Sequence, residues 1–434
     1  MANKSIVVIG AGIAGLTAAY QLKKAGQDVL VLDMNNYAGG RLANVMWEGF
    51  LLTKGASFVT TADKSTSDLL QELGLGDQLI KSKEGFAIST YRDGKLHSVN
   101  FLSIPSYLGW SGVSFKARMA MLKLLPYLLK PGMRENIYHM ERAAGPDTDE
   151  TFEQFFKARI SDEMFEQWAN PVFEWTCAYK GDDLSRKAFL TMMSSYMNAA
   201  KVTFRDGIGT LPKALAGRLE VELSADVKQI VPQADGSGIS VTYTVDGRAK
   251  TARADRVVVA VQGNHVLPLL ADLRPAWQQF FPKVAYSSGA RHYHIAETDY
   301  EPPVKLALIP RTLKEPIARI SFEKYKDGRW LMLTSPSAYT FNADQDPDDL
   351  AAQAQAVMST VFPALAGMFR GHRVFKWRDK VPTFRPGYLD ALKHFWEDPQ
   401  ENPVYFCGDY LSAPGVSAAL YTGMECAGRV LKSI

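Results

Sequence analysis

The chain has 434 residues, 47% hydrophobic and 22% charged, proportions of a folded globular protein that exclude disorder or a collagen-like repeat as its main state. Its length fits two or three domains at about 100–200 residues each. The 49 basic and 46 acidic residues leave a formal charge of +3, and the basic residues are scattered, so nucleic acid is not an expected partner. Three cysteines, Cys177, Cys407 and Cys426, lack CxxC spacing; neither a disulfide framework nor a metal site is expected, and a reducing, cytoplasmic location fits.

Residues 5–9 read as a buried strand, 13–25 as a helix with Ile13, Leu16, Ala19 and Leu22 on its apolar side, and 29–32 as a second strand, which together make a βαβ unit. The first apolar run breaks at once into glycines, unlike a signal peptide or a spanning helix. Gly10, Gly12 and Gly15 follow that strand in G-x-G-x-x-G spacing, and Asp33 ends the next one. This is the arrangement of a dinucleotide site. Gly10 permits the tight turn, Gly12 lets a pyrophosphate approach the backbone, Gly15 lets helix and strand pack, and the helix N-terminus offers free N–H groups. Asp33 is expected to accept hydrogen bonds from ribose hydroxyls.

Residues 91–96 read as a hairpin turned at Asp93-Gly94. From about 101 to 200 the helical period prevails. Within it, residues 115–130 interleave leucines and methionines with Lys116, Arg118, Lys123 and Lys130. That segment is too short to span a bilayer and is interrupted by Pro126, so it is expected to pack on the domain, with peripheral membrane contact as the alternative. Phe173, Trp175, Tyr179 and Tyr196 are candidates for the wall of an apolar pocket.

Strands are expected at 219–223, 227–231, 239–245 and 249–261. A second sheet is expected from 284–296, 305–309, 317–323 and 329–334, with a helical pattern over 348–368. His292 and His294 share one face of their strand, which makes His292 a candidate acid or base. The chain closes with a strand at 404–407, Gly408-Asp409 and a helix from about Ser417. No zinc-protease, serine-hydrolase or Walker motif occurs.

Further motifs follow the glycine loop in order: Gly39-Gly40-Arg41, Gly207 to Pro212 with Asp226-Val227, Ala254 to Ala260, Trp377 with Pro382 and Pro386-Gly387, and Tyr405 to Asp409. In this order they resemble the flavin amine oxidase and protoporphyrinogen oxidase superfamily. The resemblance implies an α/β fold with a discontinuous, Rossmann-like FAD-binding domain (1–85, 204–265 and 395–434), a helical insertion (86–203) and a mixed-sheet substrate-binding domain (266–394). It places Gly40, Arg41, Gly408 and Asp409 on the cofactor and pairs the Val227 backbone with adenine. It aims the helix that starts near Val416 at the flavin pyrimidine ring. No cysteine stands just before that helix, so FAD is expected to be non-covalent.

Many relatives that oxidise amines carry a lysine on a substrate-domain strand. In residues 283–296 the corresponding position is Arg291, which counts against amine oxidation. Arg291, Trp377 and Pro382 are expected to shape the wall beside the flavin. Residues 170–185 resemble the side of the superfamily that processes protoporphyrinogen and polyenes. The expected activity is FAD-dependent dehydrogenation of a hydrophobic small molecule at a C–C or C–N bond, with O2 or a quinone as acceptor. A peroxide-releasing amine oxidase and a redox-neutral isomerase of a polyene-like substrate are the alternatives. Substrate identity and oligomeric state are not legible in the residues.

Overall fold

A computed structural model describes residues 2–61, 64–81, 87–129, 137–143, 145–147, 149–196, 200–233, 237–271, 273–325, 327–398 and 403–434. The βαβ unit forms as expected: strand Ala2–Ile9, helix Ile13–Lys24, strand Val29–Leu32. Ile6, Val7, Val8 and Ile9 are all buried, because a central parallel strand is covered on both faces. Ile6 and Val8 pack with Leu16 of the helix, while Val7 and Ile9 join the larger core on the other face.

The first sheet runs in the order Glu220–Glu222, Val29–Leu32, Ala2–Ile9, Arg248–Val259, Ile239–Val245, Ala225–Pro232, and Val404–Phe406 also pairs with Arg248–Val259. Its core strands are parallel, and residues 225–259 form an antiparallel meander beside them. Chain segments from the beginning, middle and end of the sequence therefore build one sheet. The closing helix, Val416–Lys432, lies on the first helix, where Gly423 allows contact: a Cβ there would stand 2.4 Å from the Ala14 carbonyl oxygen.

The second sheet runs Phe369–Pro382, Tyr286–Ala296, Trp330–Pro336, Ile317–Lys324, Leu306–Leu308, Ala87–Arg92, Lys95–Asn100. The last two strands are the hairpin that the sequence assigned to the head of the helical insertion. They extend the sheet instead, because Ile88 and Val99 turn inward to the core and Ala87–Arg92 pairs in parallel with Leu306–Leu308. One face of this sheet is covered by helix Pro347–Val361. The helix is capped by Asp346 and ends sooner than its apolar pattern suggests, with Pro363 two residues beyond.

The helical layer is broken where prolines remove backbone donors. Residues 115–129 form helix Phe115–Ala120, a tight turn Met121–Leu124 and helix Leu125–Leu128, because Pro126 cannot donate to the preceding turn. Similarly, Pro171 follows a π-type turn, Phe165–Ala169, from which helix Asn170–Cys177 continues. Ala178, at φ 53°, ends that helix in the left-handed region and turns the chain toward the second sheet. Among the described residues, no helix is long and apolar enough to cross a membrane.

Candidate active site

The glycine turn is built as its spacing suggests. Gly10 has φ 108°, and a Cβ on Gly15 would lie 2.0 Å from the Gly10 carbonyl oxygen, so both positions require glycine. Gly12 differs, since a Cβ there would meet nothing within 4 Å. Opposite it stands Gly40, whose own Cβ would lie 3.8 Å from the Gly12 Cα. Two bare stretches of backbone thus face a cradle at the start of helix Ile13–Lys24, which has no side-chain cap. Its free N–H groups suit a phosphate.

Asp33 holds the turn from below. One carboxylate oxygen accepts the Ala11 N–H at 2.6 Å, and the other accepts the Asn35 N–H and side-chain amide, both at 2.8 Å. The first oxygen keeps an acceptor site for a hydroxyl. Ala225 donates its N–H to the Asp33 carbonyl, which draws the strand of Val227 to the same strand end. The structure therefore brings Asp33 and the glycine turn together with the start of the strand that carries Val227.

Arg41 closes the far side. Its guanidinium meets the Asp409 carboxylate in bidentate fashion at 2.9 and 3.1 Å and donates to the Lys380 carbonyl at 2.8 Å. Burial works against its charge, but Asp409 outweighs that and raises its pKa. Gly408 precedes Asp409, and after a short turn Gly415 and Val416 open the closing helix, again without a side-chain cap. Two uncapped helix starts, the Gly12–Gly40 cradle and an acceptor at Asp33 fit the phosphates, ribose and ring of a dinucleotide.

The second sheet presents one face to this region. Arg291 donates to Thr53 at 2.7 Å, to Ser57 at 2.6 Å and to the Tyr293 hydroxyl at 3.2 Å. Trp377, paired across the strands with Gly289, donates its indole N–H to the Lys54 carbonyl at 2.7 Å. Both side chains brace the sheet against residues 53–57. The Pro382 carbonyl accepts the Tyr179 hydroxyl, so those two meet. Trp175 lies 5.1 Å from the guanidinium of Arg319.

Not every candidate reaches this face. Strand alternation puts His292 on the side opposite Arg291, together with His294, whose ring contacts Gln355 of the covering helix at 3.4 Å. His292 is buried, neither ring nitrogen has a hydrogen-bond partner among the described residues, and burial followed by the Lys380 charge lowers its pKa to about 4. Phe173 packs among Phe152 and Phe189 in the aromatic core. Tyr196 ends helix Arg186–Tyr196; its side chain, like Lys130, lies outside the described residues.

Residues 13–431 match the model of the flavin containing amine oxidoreductases. The chain belongs to that family. Family membership gives it a flavin cofactor, and the cradle described above fits one. Over 190 residues the chain is 28% identical to "Protoporphyrinogen oxidase 2, chloroplastic/mitochondrial" of Arabidopsis thaliana, a match covering 43% of this chain and 35% of the plant protein. About a third of the length of each of the first curated relatives is spanned. A redesigned putrescine oxidase superposes with TM-score 0.80 at 18% identity, covering 100% of this chain and 99% of that one. A CLA-producing fatty acid isomerase from P. acnes gives TM-score 0.73 at 17% identity, with 98% of both chains covered. These two likenesses show the fold.

In this flavin oxidoreductase fold, sequence reasoning passed over Lys380. The register between Tyr286–Ala296 and Phe369–Pro382 slips opposite Ser287 and Gly289, and the bulge turns the Lys380 side chain over Gly289. A Cβ on Gly289 would lie 2.9 Å from its Cδ and 3.1 Å from its Nζ. Burial, then the neighbouring Arg291, lowers the Lys380 pKa to about 8. Nearby, burial raises Glu174 to about 7, although it accepts from Ser337 at 2.7 Å and from the Ala338 N–H at 2.8 Å. The Cys177 thiol is pushed up to about 11 by burial. The available signal was a lysine between Trp377 and Pro382, two residues already assigned to the wall.

Proposed function

We propose that the protein binds FAD without a covalent bond and dehydrogenates a hydrophobic small molecule, neutral or anionic, at a C–C or C–N bond. The observation that carries this reading is the charge of the substrate-facing wall. Besides burial, Arg291 and Arg319 both press the Lys380 pKa down there, and burial raises the neighbouring Glu174 carboxyl to about 7. A protonated amine entering would meet like charges, whereas an anion or a neutral ring would not. Trp175, Tyr179 and Trp377 supply apolar surface beside those charges. Non-covalent binding is supported by the cysteines: Cys407 and Cys426 are buried against each other, and Cys177 is held as a thiol.

The flavin, when bound, supplies a two-electron acceptor for a hydride from carbon. The chain's own residues do the rest. The Gly12–Gly40 cradle and the helix start at Ile13 hold phosphate, and Asp33 takes a ribose hydroxyl. The open N-terminus of Val416–Lys432 offers N–H groups and positive potential to electron density gathered on the ring. Arg291 and Trp377 fix the separation between the second sheet and residues 53–57. Tyr179 seals the wall at Pro382 and helps to exclude water. Lys380 holds a proton below pH of about 8 and can pair with an anionic group of the substrate.

Steady-state turnover with O2 and with a soluble quinone, on hydroaromatic rings, unsaturated carboxylic acids and hydrophobic amines, tests the proposal. Oxidation of the rings or acids is expected. Turnover of amines alone contradicts the charge argument, and product formed without any acceptor means a redox-neutral isomerisation.

A further inference from the structure

More than half of the large apolar side chains exposed among the described residues fall between positions 102 and 129. The cause lies in the helical run over residues 115–129, which is apolar on both sides. Ala117, Leu124 and Leu128 face inward and are buried. Half a turn away, Phe115, Met119, Leu122, Leu125 and Leu129 form a stripe at spacings of three and four residues. They are exposed, Phe115 at 62% and Leu129 at 61%. Ile104 on the adjoining helix Ile104–Leu108 is 75% exposed. A concentrated exposed apolar patch of this kind marks an interaction surface.

The charges on this surface indicate what covers it. From 102 to 129 there is no aspartate or glutamate, while Lys116 and Lys123 are exposed on the run. Arg118 does not share that role, since its guanidinium is taken up by the carbonyls of Trp110 and Val113. A second copy of the chain docking by the same face would set lysines against lysines. An anionic lipid surface would accept the leucine stripe among its acyl chains and the two ammonium groups at its headgroups. The run is too short to span, so it would lie in the plane of the interface.

We infer that residues 102–129 form a peripheral docking surface for anionic membranes. This is independent of the proposed reaction. It also places the helical layer that carries Trp175 against the phase where a hydrophobic substrate would be dissolved.

The test is sedimentation of the full-length, flavin-loaded protein with phosphatidylcholine vesicles, with and without phosphatidylglycerol. The wild type should bind the phosphatidylglycerol vesicles and lose binding as salt is raised. Leu122→Asp with Leu125→Asp should weaken partitioning about a hundredfold or more, and Lys116→Glu with Lys123→Glu about tenfold. Flavin absorbance and thermal melting should stay as in the wild type in both, because all four side chains are exposed. A folded wild type that stays in the supernatant overturns the inference, as does equal binding by the variants. A wild-type dimer in light scattering, dissociated by the aspartates and indifferent to vesicles, would assign the face to self-association and likewise overturn it.

Discussion

Arg41 and Asp409 lie 368 positions apart in sequence, yet their side chains form a bidentate ion pair. The pair joins the glycine–arginine turn of the first sheet's opening unit to the turn that launches the closing helix, and through the Lys380 carbonyl it reaches the second sheet. The first sheet's glycine turn and the second sheet thus share one guanidinium. Arg41→Met should leave Asp409 without its partner and lower flavin affinity at least about tenfold. Bound flavin per protein after gel filtration is the readout; full occupancy in the variant would mean that the pair does not touch the cofactor.

Gly12 and Gly15 should separate cofactor binding from folding. A methyl at Gly12 points into open space in the protein, so Gly12→Ala should melt like the wild type without flavin but bind flavin poorly. At Gly15 the methyl collides with the Gly10 carbonyl, so Gly15→Ala should lose on the order of 2 kcal/mol or more of stability. Thermal melts of the flavin-free proteins distinguish the two.

Lys380 should give the proposed reaction a pH signature. Its pKa of about 8 means that the ammonium is present below that pH and lost above it. The KM for an anionic substrate should rise as pH passes about 8, and Lys380→Met should raise KM at pH 7 about tenfold and flatten the profile. Flavin content should not change. An unaltered profile in the variant removes Lys380 from substrate binding.

Arg291 should behave as a positioning residue. Its guanidinium is already bonded to Thr53, Ser57 and Tyr293. Arg291→Met should therefore lower kcat about tenfold through a looser wall, with little effect on bound flavin. Arg291→Lys should restore only part, because one ammonium cannot replace a fork that reaches three hydroxyls.

His139 couples stability to pH. It sits between Glu141 at 3.1 Å and Glu425 of the closing helix at 3.4 Å. Burial alone would lower its pKa, but the two carboxylates overcome that and raise it to about 9. The unfolded value is 6.5, so the stabilisation is fully present below about pH 6.5 and is lost as pH rises through about 9. On the order of 3 kcal/mol is at stake. Denaturant melts at pH 6 and 9.5 should differ in the wild type and much less in His139→Gln.

The sequence disclosed what depends on local stereochemistry. Gly10, Gly15 and Asp33 lie within a single βαβ unit, and their spacing carries the geometry. The sheet membership of Ala87–Arg92 and Lys95–Asn100 was not legible, because Asp93-Gly94 specifies a hairpin but not the strand that it will join. Alternation predicted that His292 and His294 share a face. It could not tell that this face lies under helix Pro347–Val361, away from Arg291. Lys380 escaped notice because a bulge, set by register with Gly289, turns its side chain. Over residues 115–129 both helix sides are apolar, so periodicity could not choose which side is buried.

The most direct measurement is anaerobic absorbance of the purified protein while hydroaromatic rings, unsaturated acids and hydrophobic amines are added in turn. Bleaching of a flavin band by a ring or an acid is the predicted result. A colourless protein that takes up no added FAD, or bleaching by amines alone, would contradict the account.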